Sequence, residues 1–522
     1  MAEKKIIISV IGFVAVTAAA VFSFSYFGKA QTPLRNAIPK DSLAYVEVRD
    51  AGKIYEQLLR NAESPEAGAY DFLDGVRIGI AVTGLKASEE AVTSDASIVN
   101  VQPEFVSVIE TNAWSWQING VLDGPVHDLI SSRYGEGVKR STYSGNFGKV
   151  VKWRASDEDL AFAAISGSRI VLGNSREALE STLEGLNGKA DVGKVFGETL
   201  DERLDLNPEA MIVGYFPKTA IESFAEVVGV SAAVSGTENE GFRSFIARVL
   251  PSVLRSTAEE ITWTTRIVDG EFTDVVSVYT TKDVREVFSE TMKPGAKGAD
   301  DALDHIPSGF VSASRYRLKR PVLAYRSLLL TAANKADPVT GRLIGAFSSS
   351  LLEPYGVSDP ERFLKAVKGD ILTVQRADDE SSVAVMIKDR ELIIQSLNSG
   401  FTTDPASGRK DSEESWLTLD DWAAVLIESE KLILGEKKSV SASLVTDHSH
   451  PSEVWDLIKE LKKSDSVAMT ITNDGDEYLF GRKRVNGGYY LTETSFPGGN
   501  IERSYRSKFG FAGSFVSSFS AD

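Results

Sequence analysis

Self-similarity limits this chain more than any other feature of its sequence. Ile38-Pro39 opens an alternating strand that ends at Arg49, and Ile306-Pro307 opens one that runs through Arg317. Arg169-Ile170-Val171-Leu172-Gly173 returns as Lys431-Leu432-Ile433-Leu434-Gly435. Arg266-Ile267-Val268-Asp269-Gly270 matches Arg484-Val485-Asn486-Gly487-Gly488. The three landmarks keep their order, which is the signature of a repeated structural unit. A repeat restricts the fold to two like units and carries no chemistry of its own.

Each copy reads as α+β, a mostly antiparallel sheet with flanking helices. The opening strand is followed in both by Tyr-x-x-Leu-Leu at helical spacing, at Tyr55 and at Tyr325. Short alternating runs then predict strands at 105–109, 114–118, 150–153 and 160–165, and in the second copy at 382–387, 391–395, 416–419 and 423–427. A further strand is expected at 210–215 and its match at 467–471. Asp269-Gly270 and Gly487-Gly488 suit the positive φ angles of two-residue hairpin turns. Two amphipathic stretches, 220–234 and 242–253, form an insertion in the first copy alone. The expected organisation is an anchor at 1–30, a first repeat at 38–281, a second at 306–497 and an aromatic, small-residue tail at 498–522. A helix from Val284 to Met292 is expected in the linker.

Ile6 to Phe27 is an uncharged run of 22 residues. As a helix it would span about 33 Å, enough to cross a bilayer core. Lys4 and Lys5 precede it, so the positive-inside rule keeps the N-terminus in the cytoplasm and exports the rest. The expectation is a single-pass anchor in the cytoplasmic membrane through residues 6–27, with the bulk of the chain periplasmic or extracellular. A cleaved signal peptide ending at Ala30 is the alternative, because Gly28 and Ala30 are small residues at suitable positions.

The formal net charge of -17 argues against a nucleic-acid partner and against broad docking on anionic lipid. The absence of cysteine removes disulfides, thiolate metal sites and a Cys nucleophile. No Walker loop, dinucleotide glycine fingerprint or Gly-x-Ser-x-Gly elbow is present. Asp447, His448 and His450 are the one group with the look of a metal corner; a surface loop is the competing reading, since no partner motif supplies further ligands. Asn473 to Glu477 reads as a turn between strands rather than a calcium loop. Arg315, Arg317 and Lys319 alternate on a strand, facing an anion or nearby carboxylates.

The segment from Ile38 to Asp50, placed after a membrane run, resembles a family of exported, membrane-anchored bacterial proteins classed as a domain of unknown function. Gly167 to Leu179 shares that resemblance, which covers most of 38–281 and, more weakly, the second half. It implies a bacterial envelope location and offers no catalytic residues. The expected function is a non-enzymatic binding or scaffolding module of the cell envelope, with an envelope protein as partner and no cofactor. An exported hydrolase with dispersed acidic residues, or a carrier of an apolar ligand, is the alternative.

Overall fold

Alternating residues pair into strands, and the computed structural model joins the strands it describes into one antiparallel sheet of 20. It describes residues 33–520 apart from 41, 66–72, 94–95, 112–119, 121, 136, 156–157, 188–195, 237–239, 297–299, 336–343, 345–351, 378–379, 404–413, 429, 446–449 and 481–482. The expected strand at 114–118 and the expected membrane segment at 6–27 lie outside the described residues. No described helix is long and apolar enough to cross a membrane.

The first half begins β1 (Ala44–Val48), α1 (Ala51–Asn61), β2 (Arg77–Thr93), β3 (Ala96–Glu110) and α2 (Pro125–Tyr134). It continues β4 (Lys139–Gly145), β5 (Gly148–Ala155), β6 (Glu158–Ser166), β7 (Arg169–Gly173), α3 (Arg176–Leu186) and α4 (Gly197–Asp205). It closes with β8 (Ile212–Pro217), α5 (Lys218–Gly236), α6 (Glu240–Thr257), β9 (Ala258–Val268), β10 (Glu271–Thr280) and α7 (Lys282–Thr291).

The second half begins β11 (Ser312–Tyr316), α8 (Pro321–Lys335), α9 (Pro360–Ala366), β12 (Val367–Ala377), β13 (Glu380–Ile387) and α10 (Arg390–Ser396). Then come β14 (Thr402–Thr403), β15 (Glu414–Leu419), β16 (Trp422–Ile427), β17 (Lys431–Glu436), α11 (Lys437–Ser443) and α12 (Ser452–Lys463). The last elements are β18 (Ala468–Phe480), β19 (Lys483–Ser495), β20 (Ile501–Ser507) and α13 (Gly510–Ser520).

Hydrogen-bonded neighbours in the first half run β4-β5-β6-β7-β3-β2-β1-β8-β9-β10. In the second half they run β14-β15-β16-β17-β13-β12-β11-β18-β19-β20. The two orders agree position for position. Ladder register extends the agreement to single residues: Arg49 donates its backbone N–H to the Met211 carbonyl at 2.8 Å, and Arg317 does the same to Val467 at 2.8 Å.

The last strands of the two halves pair with each other, β10 antiparallel to β20. Thr265 faces Asp274, and its counterpart Thr494 faces Arg503, so Asp274 and Arg503 hold equivalent places. The residues that follow them, Val275 and Ser504, lie directly opposite one another. A local two-fold axis therefore passes between β10 and β20. The helices that end the halves are exchanged across it. α13 packs on α1 through Phe509, Ala512 and Leu58, and α7 packs on α8 through Phe288, Met292 and Ala324.

The halves differ in what they add to this frame. Beyond Val82, β2 leaves β1, and from Gly84↔Glu104 to Thr93↔Ala96 it pairs with β3 alone. β3 meets β7 no further out than Val106. The result is a two-stranded ribbon extending roughly 30 Å past the sheet. In the second half β12 and β13 stop at Ala377↔Glu380. The helical insertion α5–α6 joins β8 to β9, where β18 and β19 instead form a continuous ribbon.

Several expectations are corrected. Residues 391–395 belong to helix α10, not a strand; Asp389 caps it by accepting from the Leu392 N–H at 3.0 Å. Asp269-Gly270 is a hairpin turn with φ of 52° and 85°, but Gly487-Gly488 is not one. Both lie inside β19, where a bulge sets Asp474 opposite Gly488 and Glu477 opposite Asn486. A Cβ on Gly487 would fall 2.1 Å from the Asp474 carboxylate, so this glycine marks a close approach. The first-half turn at 269–270 corresponds to Pro497–Gly499, between β19 and β20. The tail expected after residue 497 packs as the last described strand of the second half, β20, and the helix α13, so the second unit extends beyond 497.

Candidate functional site

Among the described residues, a cluster of buried and half-buried charge lies at the start of each half. In the first, Arg49, Arg77, Glu47, Glu110 and Arg169 come from β1 and the strands beside it. Arg77 sits opposite Glu110, and Glu110 opposite Arg169. Glu47 lies two residues before Arg49 and shares its face. The Arg169 Nη2 donates to Glu110 at 3.0 Å, and Arg77 lies 3.7 Å from Glu110 and 3.4 Å from Glu47. The Tyr45 hydroxyl donates to Glu47 at 2.9 Å. Burial and then the Glu47 charge push that phenol well above its ordinary range, so it stays a donor. Gly79 makes room for the ring: a Cβ there would lie 2.9 Å from the Tyr45 hydroxyl.

Arg49 keeps its Nε 3.9 Å from Glu47 and extends the end of its guanidinium to a helix. Its Nη1 donates to the Asn207 carbonyl at 2.6 Å and its Nη2 to the Leu204 carbonyl at 2.8 Å, at the C-terminal end of α4. A guanidinium satisfies helix-end carbonyls and complements the negative end of the helix dipole. Arg317 repeats the bond on α12, the counterpart helix, donating through Nη1 to the Ser464 carbonyl at 2.8 Å.

The rest of the second cluster has its charges rearranged. The place of Glu47 is taken by Arg315, which donates to the Ser464 carbonyl at 2.7 Å and the Ser466 carbonyl at 3.0 Å. The place of Arg77 is taken by Asp370. Arg317 clasps Asp370 with two parallel bonds, Nε to Oδ1 at 2.9 Å and Nη2 to Oδ2 at 2.6 Å. Both partners are buried. Each half thus keeps two arginines and one acid at these three places, with the acid moved from the first strand to the second.

Chemically, these groups tie strands to helix ends. Arg315 and Arg317 point inward, and of the three cations expected on this strand only Lys319 is exposed. Of the two readings of this strand, the one met at Arg317, which pairs with Asp370, is nearby carboxylates rather than an external anion, while Arg315 bonds backbone carbonyls.

The metal corner is placed in part. Asp447 and His448 lie outside the described residues. His450 spends Nε2 on the Ile306 carbonyl at 3.1 Å, and its ring packs edge-on against Phe310 and Trp455. Burial lowers its pKa, partly offset by that carbonyl bond. Among the described residues no group of three metal-ligating side chains converges. Asp474 accepts from the Tyr478 hydroxyl at 2.8 Å within the β18 bulge.

One buried carboxylate escaped the sequence reading. Asp274 on β10 accepts from the Trp263 Nε1 at 3.0 Å, from the Thr265 hydroxyl, and from the Phe511 N–H at 2.8 Å. It therefore pins the first turn of α13 to the first half. Desolvation raises its pKa; the three donors only partly offset that. Its signal in sequence was an acid amid the alternation of a central strand.

No family model matches the sequence. No curated protein matches it. Among solved structures, crystal form III of TP0453 aligns with 50% of this chain and 87% of its own, at 9% identity and a TM-score of 0.26. Crystal form IV of the same protein aligns with 50% and 85%, at 10% identity and a TM-score of 0.25. A likeness of that size carries no argument about fold or function.

Proposed function

We propose that this chain is a membrane-tethered, extracytoplasmic binding or scaffolding module of the bacterial envelope, built from a duplicated ten-strand unit. The tether is the uncharged run from Ile6 to Phe27, and the duplication accounts for the shared strand order. The observation that carries the binding role is the ribbon at 84–104. Two strands paired only with each other are marginally stable in water. The second half keeps the same strand order without such an arm, since the β12–β13 pairing reaches no further than Ala377↔Glu380. An arm that the frame does not need is a device for reaching a partner, here an envelope protein.

The test is to replace 85–103 with a two-residue Asn-Gly turn and crosslink the envelope of cells carrying either form. The expected result is loss of a reproducible crosslinked partner, with unchanged thermal unfolding. An unchanged partner set removes the arm from the binding role. Fractionation tests the tether: the intact chain is expected with the membranes, and a soluble product starting at Gln31 would contradict it.

A further inference from the structure

The helix after the first strand of each half occupies the same place, yet its outer face differs. On α1 the solvent-facing positions are Lys53 and Arg60, both exposed. Counting from the shared Tyr-x-x-Leu-Leu, their counterparts on α8 are Leu323 and Leu330, 39% and 58% exposed. The two leucines lie seven residues apart, so they fall on one face about 10 Å from each other. A surface leucine is ordinary; two that replace the lysine and arginine of an otherwise equivalent helix form an apolar stripe.

The charges around the stripe are basic. Lys319 and Arg320 immediately precede α8 and are exposed. Lys293 joins them, because the Lys319 N–H donates to the Lys293 carbonyl at 2.9 Å. Cations at a helix N-terminus oppose the helix dipole, so they are not there to stabilise α8. The α8 sequence itself carries Arg326 and Lys335 and no acid. The acids in reach include Glu290, 3.4 Å from Lys293, Glu361, which pairs with Arg326, and Asp359, whose charge is felt at Tyr325 and which itself pairs with Arg362. A chain of net charge -17 has gathered cations beside exposed leucines on one helix. That combination fits the interface of an anionic bilayer.

We propose that α8 rests on the anionic membrane surface, with Leu323 and Leu330 in the acyl boundary and Lys293, Lys319 and Arg320 among the headgroup phosphates. The inference rests on the tether reading only for bringing this face to a membrane. It orients the protein: the face of the second half that carries α8 lies down, and the matching face of the first half does not.

The natural chain has no cysteine, so a single Leu330→Cys substitution in the full-length protein takes one environment-sensitive NBD label. Arg60→Cys, at the matching place on α1, is the internal control. Each is mixed with vesicles of phosphatidylglycerol and phosphatidylcholine, or of phosphatidylcholine alone, and flotation is read in parallel. The expected result is a brighter, blue-shifted signal at position 330 with the anionic vesicles only, none at position 60, and loss of the response in Lys319→Glu/Arg320→Glu. Flotation on both vesicle types with position 330 still aqueous overturns the inference and spares the tether. Flotation on anionic vesicles alone, with the shift at 330, spares the inference and removes the tether. Flotation on neither overturns both. A shift at 330 produced by an acidic partner protein, with none from vesicles, would reassign the face to a protein.

Discussion

Leu58 and Leu328 hold the same place on α1 and α8, yet Leu58 is fully buried and Leu328 is 46% exposed. Leu58 lies beneath α13 and beside Tyr478 and Phe480, from the tip of the β18–β19 ribbon. On the other side, the helical pair α5–α6 joins β8 to β9 where the ribbon joins β18 to β19, and Leu328 keeps its exposure. The same contrast runs through the charge clusters, where one acid has changed strands while both helix-end arginines stayed. The two copies kept the bonds that join strand to helix and altered whatever lies between those bonds and the surface.

The largest effect is expected where the copies differ most in burial. Asp370→Ala leaves the Arg317 guanidinium buried without its carboxylate, and should cost about 3–5 kcal/mol in urea unfolding. Arg77→Ala, at the matching place, is partly exposed and leaves Glu47 and Glu110 with other arginines; about 1 kcal/mol is expected. Equal costs would mean that the two clusters are not alternative versions of one device. Leu58→Ala should cost about 2–5 kcal/mol through the cavity it opens, whereas Leu328→Ala should stay within about 0.5 kcal/mol. A large loss at Leu328 would show that its face is packed in the folded protein.

Transplanting the second pattern into the first half sharpens the comparison. Glu47→Arg and Arg77→Asp, made singly, should each destabilise, and the double variant should recover about 1–3 kcal/mol as coupling. Simple additivity would deny that the acid can move between the strands.

Most of the frame was legible because it rests on local pattern. The near-alternation at 44–48 and the short continuous apolar runs at 169–173 and 431–435 report buried strands. The two-copy arrangement of landmarks marked β1, β7 and their counterparts correctly. The third landmark failed for a physical reason. A glycine pair is needed both where a chain reverses and where another side chain crowds the backbone, and Gly487 is there for the Asp474 carboxylate. The true counterpart of the Asp269-Gly270 turn is the short helical turn at Pro497–Gly499, which shares no residue type with it except glycine. The charge clusters were legible only as charges. Whether Arg315 faces water or a helix end depends on α12, more than a hundred residues away, and no local spacing encodes that. The role of Asp274 is equally non-local, because its partner Phe511 belongs to the other half.

The smallest expected effect concerns that carboxylate. Its folded pKa is raised above the unfolded value, so the folded state holds the proton more tightly. The resulting stability is fully present below the ordinary Asp value and is lost as pH rises through the raised one. Asp274→Asn should flatten this slope in unfolding midpoints measured across that interval. A slope unchanged in the variant would assign it to other groups.

The pairing of β10 with β20 is tested most directly by a disulfide. Opposed residues of antiparallel strands bring Cα atoms to about 4.5–5.5 Å, within the range a disulfide spans. In this cysteine-free chain, Val275→Cys/Ser504→Cys should oxidise to an intramolecular bridge, seen as faster migration on a non-reducing gel, while Val275→Cys/Arg506→Cys should do so far less. A chain that stays reduced at 275 and 504, or that crosslinks equally well at both pairs, would contradict a two-fold axis between the halves.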